Sequence, residues 1–167
     1  MKTDVQTILN HEDIQNKIRR IAYQIYESNV DEQEIILAGI ALNGYVIAER
    51  LKVILEEVSD LNCTLCKVTM NKTAPQGTVE TSLDAGEYQD KSLVLIDDVL
   101  NSGTTLIYGV KHFLDVPLKK FKTAVLVNRN HKKYPVKADF KGISLSTSLQ
   151  ERVKVRFKPG KDSAILE

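Results

Sequence analysis

An apolar run, Leu93-Val94-Leu95-Ile96, ends in two adjacent acids, Asp97 and Asp98, and continues as Val99-Leu100-Asn101-Ser102-Gly103-Thr104-Thr105 before helical periodicity resumes. Each residue type has a chemical use at that spacing. Backbone N–H groups of Asn101 to Thr105, opening a helix, offer an anion the positive end of the helix dipole, and the hydroxyls of Ser102, Thr104 and Thr105 can donate to phosphate oxygens. The string is a phosphate cradle without lysine. Asp97 and Asp98, at the strand end, are placed to accept from ribose hydroxyls or to hold Mg2+ through water, since that cation keeps much of its hydration. Taken alone, an acid pair at a strand end also fits a helix cap with no ligand. The full string is the more specific signal.

These residues need elements to position them, and the flanking sequence supplies an alternating set. Asn10 followed by Asp13 is a capped helix start, and Ile14, Ile18, Ile21, Ala22 and Ile25 recur at helical spacing. Glu34 to Gly39 reads as a buried parallel strand, Gly44 to Glu57 as a helix through Val46, Ile47, Leu51 and Ile54, and Leu61 to Met70 as the next strand. Asn71 to Lys91 is polar, holds Pro75, Gly77 and Gly86, and reads as one long loop, a feature expected to be functional or mobile. Ser92 to Ile96 predicts a strand, Thr104 to Leu114 a helix and Phe121 to Val127 a strand; Asn128 to Gly142 is basic and irregular, and Ile143 to Leu145 and Arg152 to Phe157 are the last expected strands. The alternation predicts an α/β fold: a parallel sheet core flanked by helices, with the ligand crevice at the carboxyl ends of the strands.

Composition narrows the class. The 167 residues suffice for one well-buried core and are too few for two ordinary domains, and 43% hydrophobic with 27% charged residues is globular composition. No stretch approaches the roughly 20 apolar residues that span a bilayer, and Met1 to Asn10 has no apolar run beside its lysine, so no membrane role and a cytoplasmic location are expected. Net charge is +1, yet Pro117 to Lys161 holds 13 basic and two acidic residues while the remainder holds ten basic and 20 acidic. Such segregation suits a polyanionic partner, either nucleic acid or a phosphorylated ligand, and equally a lysine-rich solvated face beside an acidic one. Cys63 and Cys66 form a lone Cys-x-x-Cys on a strand, where residues three apart point to opposite faces, and His11, His112 and His131 are widely separated. Neither a zinc site nor a redox motif is expected.

Val94 to Thr105 resembles the phosphoribosyl pyrophosphate signature of the type I phosphoribosyltransferases. Lys17 to Asn29, Ile36 to Leu51 and Ala124 to Ser148 extend the resemblance to the pyrimidine-operon regulators that double as uracil phosphoribosyltransferases. The resemblance implies the type I fold with a small hood contributed by about residues 128–157 and the N-terminus, over a core of about residues 12–127. It implies Asp97 and Asp98 as catalytic acids for ribose hydroxyls and Mg2+, and Val99 to Thr105 as the 5-phosphate site. Leu42, Asn43 and Gly44 stand at the pyrophosphate loop, where relatives carry a threonine-arginine pair before the glycine. The 71–91 stretch corresponds to a lid in which Lys72 offers the one positive charge before Lys91 and is implied as the third catalytic residue. Asn128, Arg129, Phe140 and Lys141 are the implied base-binding residues, with Phe140 as the stacking ring and Asn128 where relatives have aspartate, a change that adds donor capacity. Implied partners are phosphoribosyl pyrophosphate, a nucleobase or nucleotide, a second copy in a homodimer, and RNA. Two functions remain open at this point: transfer of phosphoribosyl to a base, uracil by resemblance, or a catalytically weak nucleotide-sensing regulator that binds RNA.

Overall fold

A computed structural model describes residues 4–71, 73–74 and 76–167. In chain order the elements are β1 (Gln6–Leu9), α1 (His11–Ser28), β2 (Glu34–Ile40), α2 (Asn43–Val58), β3 (Asn62–Thr69), β4 (Glu80–Thr81), α3 (Ala85–Tyr88), β5 (Ser92–Leu100), α4 (Thr104–Phe113), β6 (Lys120–Arg129), β7 (Phe140–Leu145), β8 (Val153–Arg156) and β9 (Ser163–Leu166). Six strands form one sheet in the order β4-β3-β2-β5-β6-β7, parallel throughout except for β4, which runs antiparallel to β3. The order places β5, the strand bearing the two acids, between β2 and β6 in the interior of the sheet.

The sheet is buried on both faces, as its near-continuous apolar strands require. One face packs α1 and α2 through Ile14, Ile18, Ile21, Ile25, Ile47, Leu51 and Leu55. The other packs Tyr88 of α3 and Leu106 and Phe113 of α4. Helix α1 begins as its sequence requires: the Asp13 N–H donates to Asn10 Oδ1 at 2.8 Å and the Asn10 N–H to Asp13 Oδ2 at 2.9 Å, a reciprocal cap. Cys63 joins the first core and Cys66 the second, so the two thiols face opposite sides of the sheet. Burial pushes the Cys63 thiol up to about 11 and raises Cys66 as well, the reverse of what a nucleophile or metal ligand needs.

Three features differ from the sequence reading. A second sheet, antiparallel in the order β1-β9-β8, joins both ends of the chain to one later strand. Residues 128–129 end β6 and Phe140–Leu145 form β7 of the main sheet, and the small sheet is made by β1, β8 and β9. The stretch 71–91 is not one loop, because β4 pairs with Val68 and Thr69, and α3 is a single turn closed by a reciprocal cap between Asp84 and Glu87. Two residues of strand and four of helix are too short to show a period in sequence. Strand β5 also runs four residues further than its apolar run, to Leu100.

Candidate active site

The cradle is built by the end of β5 and the start of α4. Gly103 is the residue before the helix and adopts φ 86°, a left-handed conformation that only glycine takes without strain; a Cβ there would lie 2.6 Å from Val136 Cγ1. The Ser102 and Thr104 hydroxyls are hydrogen-bonded at 2.8 Å, and the Thr104 N–H donates to Ser102 Oγ at 3.3 Å. From outside, the N–H groups of Lys133 and Tyr134 donate to the Ser102 carbonyl at 2.7 and 3.2 Å, so the loop after β6 braces the turn. The first-turn N–H groups of α4 and this hydroxyl cluster face a crevice of about 600 Å³, within the range of ligand sites.

Asp97, Asp98, Val99, Asn101, Ser102, Thr104 and Thr105 all line that crevice, together with Thr73 and Gln76 from the lid segment and Tyr108, Lys133 and Tyr134. Gly103 and Leu100 line a small cavity of about 40 Å³ beneath it. Asp97 is buried at 3% exposure and its Oδ1 accepts from the Asp98 N–H at 2.9 Å. Asp98 Oδ1 accepts from the Val99 N–H, and its Oδ2 from Asn43 Nδ2, each at 2.9 Å. Donors therefore hold both oxygens of the Asp98 carboxylate and fix its orientation at the crevice wall. Among the described residues no group of three or more His, Cys, Asp or Glu converges as a metal cage.

The remaining sequence-derived site residues divide. Asn128 is the next-to-last residue of β6 and lies opposite Leu100; its Nδ2 donates to Ser144 Oγ at 3.2 Å, and its Oδ1 is buried with no hydrogen-bond partner among the described residues. An unpaired buried carbonyl is costly and is a place where a ligand N–H is welcome. Arg129, expected to read the base, is 8% exposed and turned inward: it donates to Asn101 Oδ1 at 2.9 Å, to Thr147 Oγ1 at 2.9 and 3.0 Å, and to the Ser148 and Glu151 carbonyls at 3.2 and 2.7 Å. It shapes the cradle's edge and the 147–151 loop.

Phe140 and Lys141 are not among the residues lining the crevice. Phe140 begins β7 level with Ala124, four residues and so about 13 Å down the strand from Asn128, and packs against the α1-side core. The Lys141 and Gly142 carbonyls beside it accept from Arg20 of α1 at 3.1 and 2.6 Å. Leu42 is 75% exposed at the start of α2, after a cis Ala41–Leu42 peptide, and Asn43 turns to Asp98 and to the Val155 carbonyl, both at 2.9 Å. Gly44 serves packing, since a Cβ there would meet the Ile96 carbonyl at 2.5 Å. Lys72 lies outside the described residues. Ser144, Tyr108, Lys133 and Tyr134 are additions that sequence spacing does not mark.

A doubly covered, mostly parallel sheet carries paired acids and a glycine-hinged, hydroxyl-rich turn at its strand ends. Residues 4–155 match the model of the phosphoribosyl transferase domain, and the chain belongs to that family as a type I phosphoribosyltransferase. It is 30% identical to the bifunctional protein PyrR of Streptomyces coelicolor, covering 98% of this chain and 90% of the relative, and 32% identical to that of Alkaliphilus metalliredigens, covering 96% and 93%. Among solved structures, a hypoxanthine-guanine phosphoribosyltransferase from Bacillus anthracis superposes with a TM-score of 0.74 at 20% identity, covering 96% of this chain and 99% of that one. The hypoxanthine phosphoribosyltransferase of Trypanosoma cruzi gives 0.75 at 15% identity, covering 96% and 89%. The structural likenesses show the shared fold.

Proposed function

We propose that this phosphoribosyltransferase transfers the 5-phosphoribosyl group of phosphoribosyl pyrophosphate to a nucleobase, with uracil as the base following the sequence resemblance to pyrimidine-operon regulators. The observation that carries this reading is the shared crevice: one wall is the cradle of Asn101 to Thr105, the other the acids Asp97 and Asp98. The α4 N–H groups and the Ser102, Thr104 and Thr105 hydroxyls hold the 5-phosphate. Asp98, oriented by Val99 and Asn43, accepts from a ribose hydroxyl. Asn128, level with Leu100 near the carboxyl end of β6 and not among the residues lining the crevice, is the residue we assign to the base edge.

The C1–O bond to pyrophosphate breaks as the C1–N bond to the base forms, and the base N–H proton is released; positioning and fixed dipoles do most of this work. Two carboxylates in a crevice without a third acid suit a cation completed by substrate oxygens and water, so Asp97 and Asp98 are the residues that would hold Mg2+. When bound, Mg2+ supplies charge neutralisation for the departing pyrophosphate. We read the assembly as a homodimer and the location as cytoplasmic; no helix among the described residues is long and apolar enough to cross a membrane.

A second reading, a nucleotide-sensing and RNA-binding regulator with little turnover, has its own support. Asn43 stands where an arginine is expected and is engaged by Asp98 and Val155, and exposed basic residues cluster after β5, including Lys132, Lys133, Lys154 and Arg156. Pyrophosphate release, measured with phosphoribosyl pyrophosphate, Mg2+ and each of uracil, hypoxanthine, guanine and xanthine, separates the two. Turnover with uracil supports the enzyme reading, and turnover with another base corrects the substrate. Nucleotide binding with no turnover supports the regulator, whose RNA affinity would fall steeply with salt.

A further inference from the structure

Asn43 is the first residue of α2, and its single amide nitrogen touches two separate parts of the molecule. One N–H goes to Asp98 Oδ2 on β5 and the other to the Val155 carbonyl on β8, both at 2.9 Å. An asparagine amide has two donor protons, and both are engaged here. Asn43 itself has little freedom to follow a moving partner. The adjoining Gly44 packs so closely on β5 that a Cβ would lie 2.5 Å from the Ile96 carbonyl and 3.0 Å from Asp97 Cα. At the far end, Val155 is a buried residue of the small sheet, and its neighbours Lys154 and Arg156 are exposed.

We infer that Asn43 is a positioning residue that couples the Asp98 carboxylate to strand β8 of the small sheet. The coupling follows from shared geometry: one nitrogen satisfies both acceptors only while β5 and β8 keep their present separation. A ligand that draws Asp98 Oδ2 toward the crevice stretches or breaks the first bond and frees the amide to reorient, and β8 then loses this polar tie to β5, though its packing into the core remains. Conversely, displacement of β8 loosens the donor that orients Asp98. Occupancy of the crevice is thereby read at a strand whose outer face is basic. The role in ligand response rests on Asp98 as a ligand-binding acid, whereas the bridge itself does not.

Hydrogen exchange on the full chain tests both parts. Without ligand, Asn43→Ser and, separately, Asp98→Ala each speed exchange of the Val153–Arg156 amides by about fivefold, the factor for one hydrogen bond of ordinary net strength. Exchange in β2 and β3 stays at the wild-type rate, which separates loss of the tie from general unfolding. With phosphoribosyl pyrophosphate and Mg2+ added, the wild type responds in both the 101–105 turn and β8, whereas Asn43→Ser responds in the turn alone. Unchanged β8 exchange in both unliganded variants overturns the bridge. A β8 response retained in Asn43→Ser overturns the coupling. If the wild type binds no phosphoribosyl pyrophosphate, the proposed reaction falls, and the unliganded arm still decides the bridge.

Discussion

Arg129 organises the cradle's edge through five hydrogen bonds, to Asn101 Oδ1, twice to Thr147 Oγ1, and to the Ser148 and Glu151 carbonyls. Removing the guanidinium strands several acceptors at once; they belong to the exposed or half-buried residues Asn101, Thr147, Ser148 and Glu151, and each hydrogen bond lost costs about 1 kcal/mol net. Arg129→Leu is therefore expected to lose about 2–4 kcal/mol in denaturant melts. Arg129→Lys recovers only part of this, because a point charge cannot reproduce the planar fork. The residue was visible in sequence as a cation at a strand end, but its direction was not: facing the crevice or facing the 147–151 loop is settled by the partners that β7 and the following loop bring to it. Asp97, Asp98 and the turn from Asn101 to Thr105 were legible because a strand, acids and a glycine-hinged helix start are contiguous in the chain. Phe140 was not. Four residues separate its strand level from that of Asn128, and the register that sets this distance is a property of β6 and β7 together.

At the scale of elements, contiguity again marks what could be read. The stripe Ile14, Ile18, Ile21, Ala22 and Ile25 fixed α1, and each of those residues is buried. Strands β1 and β9 escaped notice because each is four residues long and gains its meaning only by pairing across the full length of the chain. Leu9, Val155 and Ala164 pack this small sheet into the α1-side core, and a polar cluster fastens it further. Asp162, just before β9, is 2% exposed and accepts from Gln15 of α1 at 2.7 Å, from the Lys158 N–H at 3.0 Å and from both terminal nitrogens of Arg50 on α2. Its own N–H donates to His11 Nδ1 at 3.1 Å. Burial acts to raise the Asp162 pKa, but the Arg50 guanidinium and these donors outweigh it and hold the carboxyl below its ordinary 3.8. A folded-state value depressed below the unfolded one means that the ionised group contributes stability above the unfolded pKa, and that this is lost as pH falls through the folded pKa. Acid unfolding should therefore draw on Asp162 below about pH 4. Asp162→Asn, melted across pH 2–7, is expected to be less stable at pH 7 by about 3 kcal/mol and to converge on the wild type at the acid end; parallel curves would remove Asp162 from the acid transition.

Over the whole molecule, segregated charge and sheet topology act together. The basic segment from Pro117 to Lys161 supplies β6, β7 and β8, whereas Asp97 and Asp98, the acids of the proposed site, stand on β5 at the interior of the sheet. In the proposed reaction a phosphorylated ligand would meet the start of α4 and its hydroxyls, with Lys133 as the cation among the described crevice residues. The account depends most on Asp98 acting as a charged acceptor for the ribose and the cation. Asp98→Asn removes that charge at nearly constant shape; its single amide oxygen can accept from Asn43 or from the Val99 N–H but not from both, so the fold of the variant is checked by circular dichroism before the titration. Calorimetric titration of the wild type and of this variant with phosphoribosyl pyrophosphate in the presence of Mg2+ is the direct test. The account predicts Mg2+-dependent binding by the wild type and its loss in a folded variant; equal affinity in the two would contradict it.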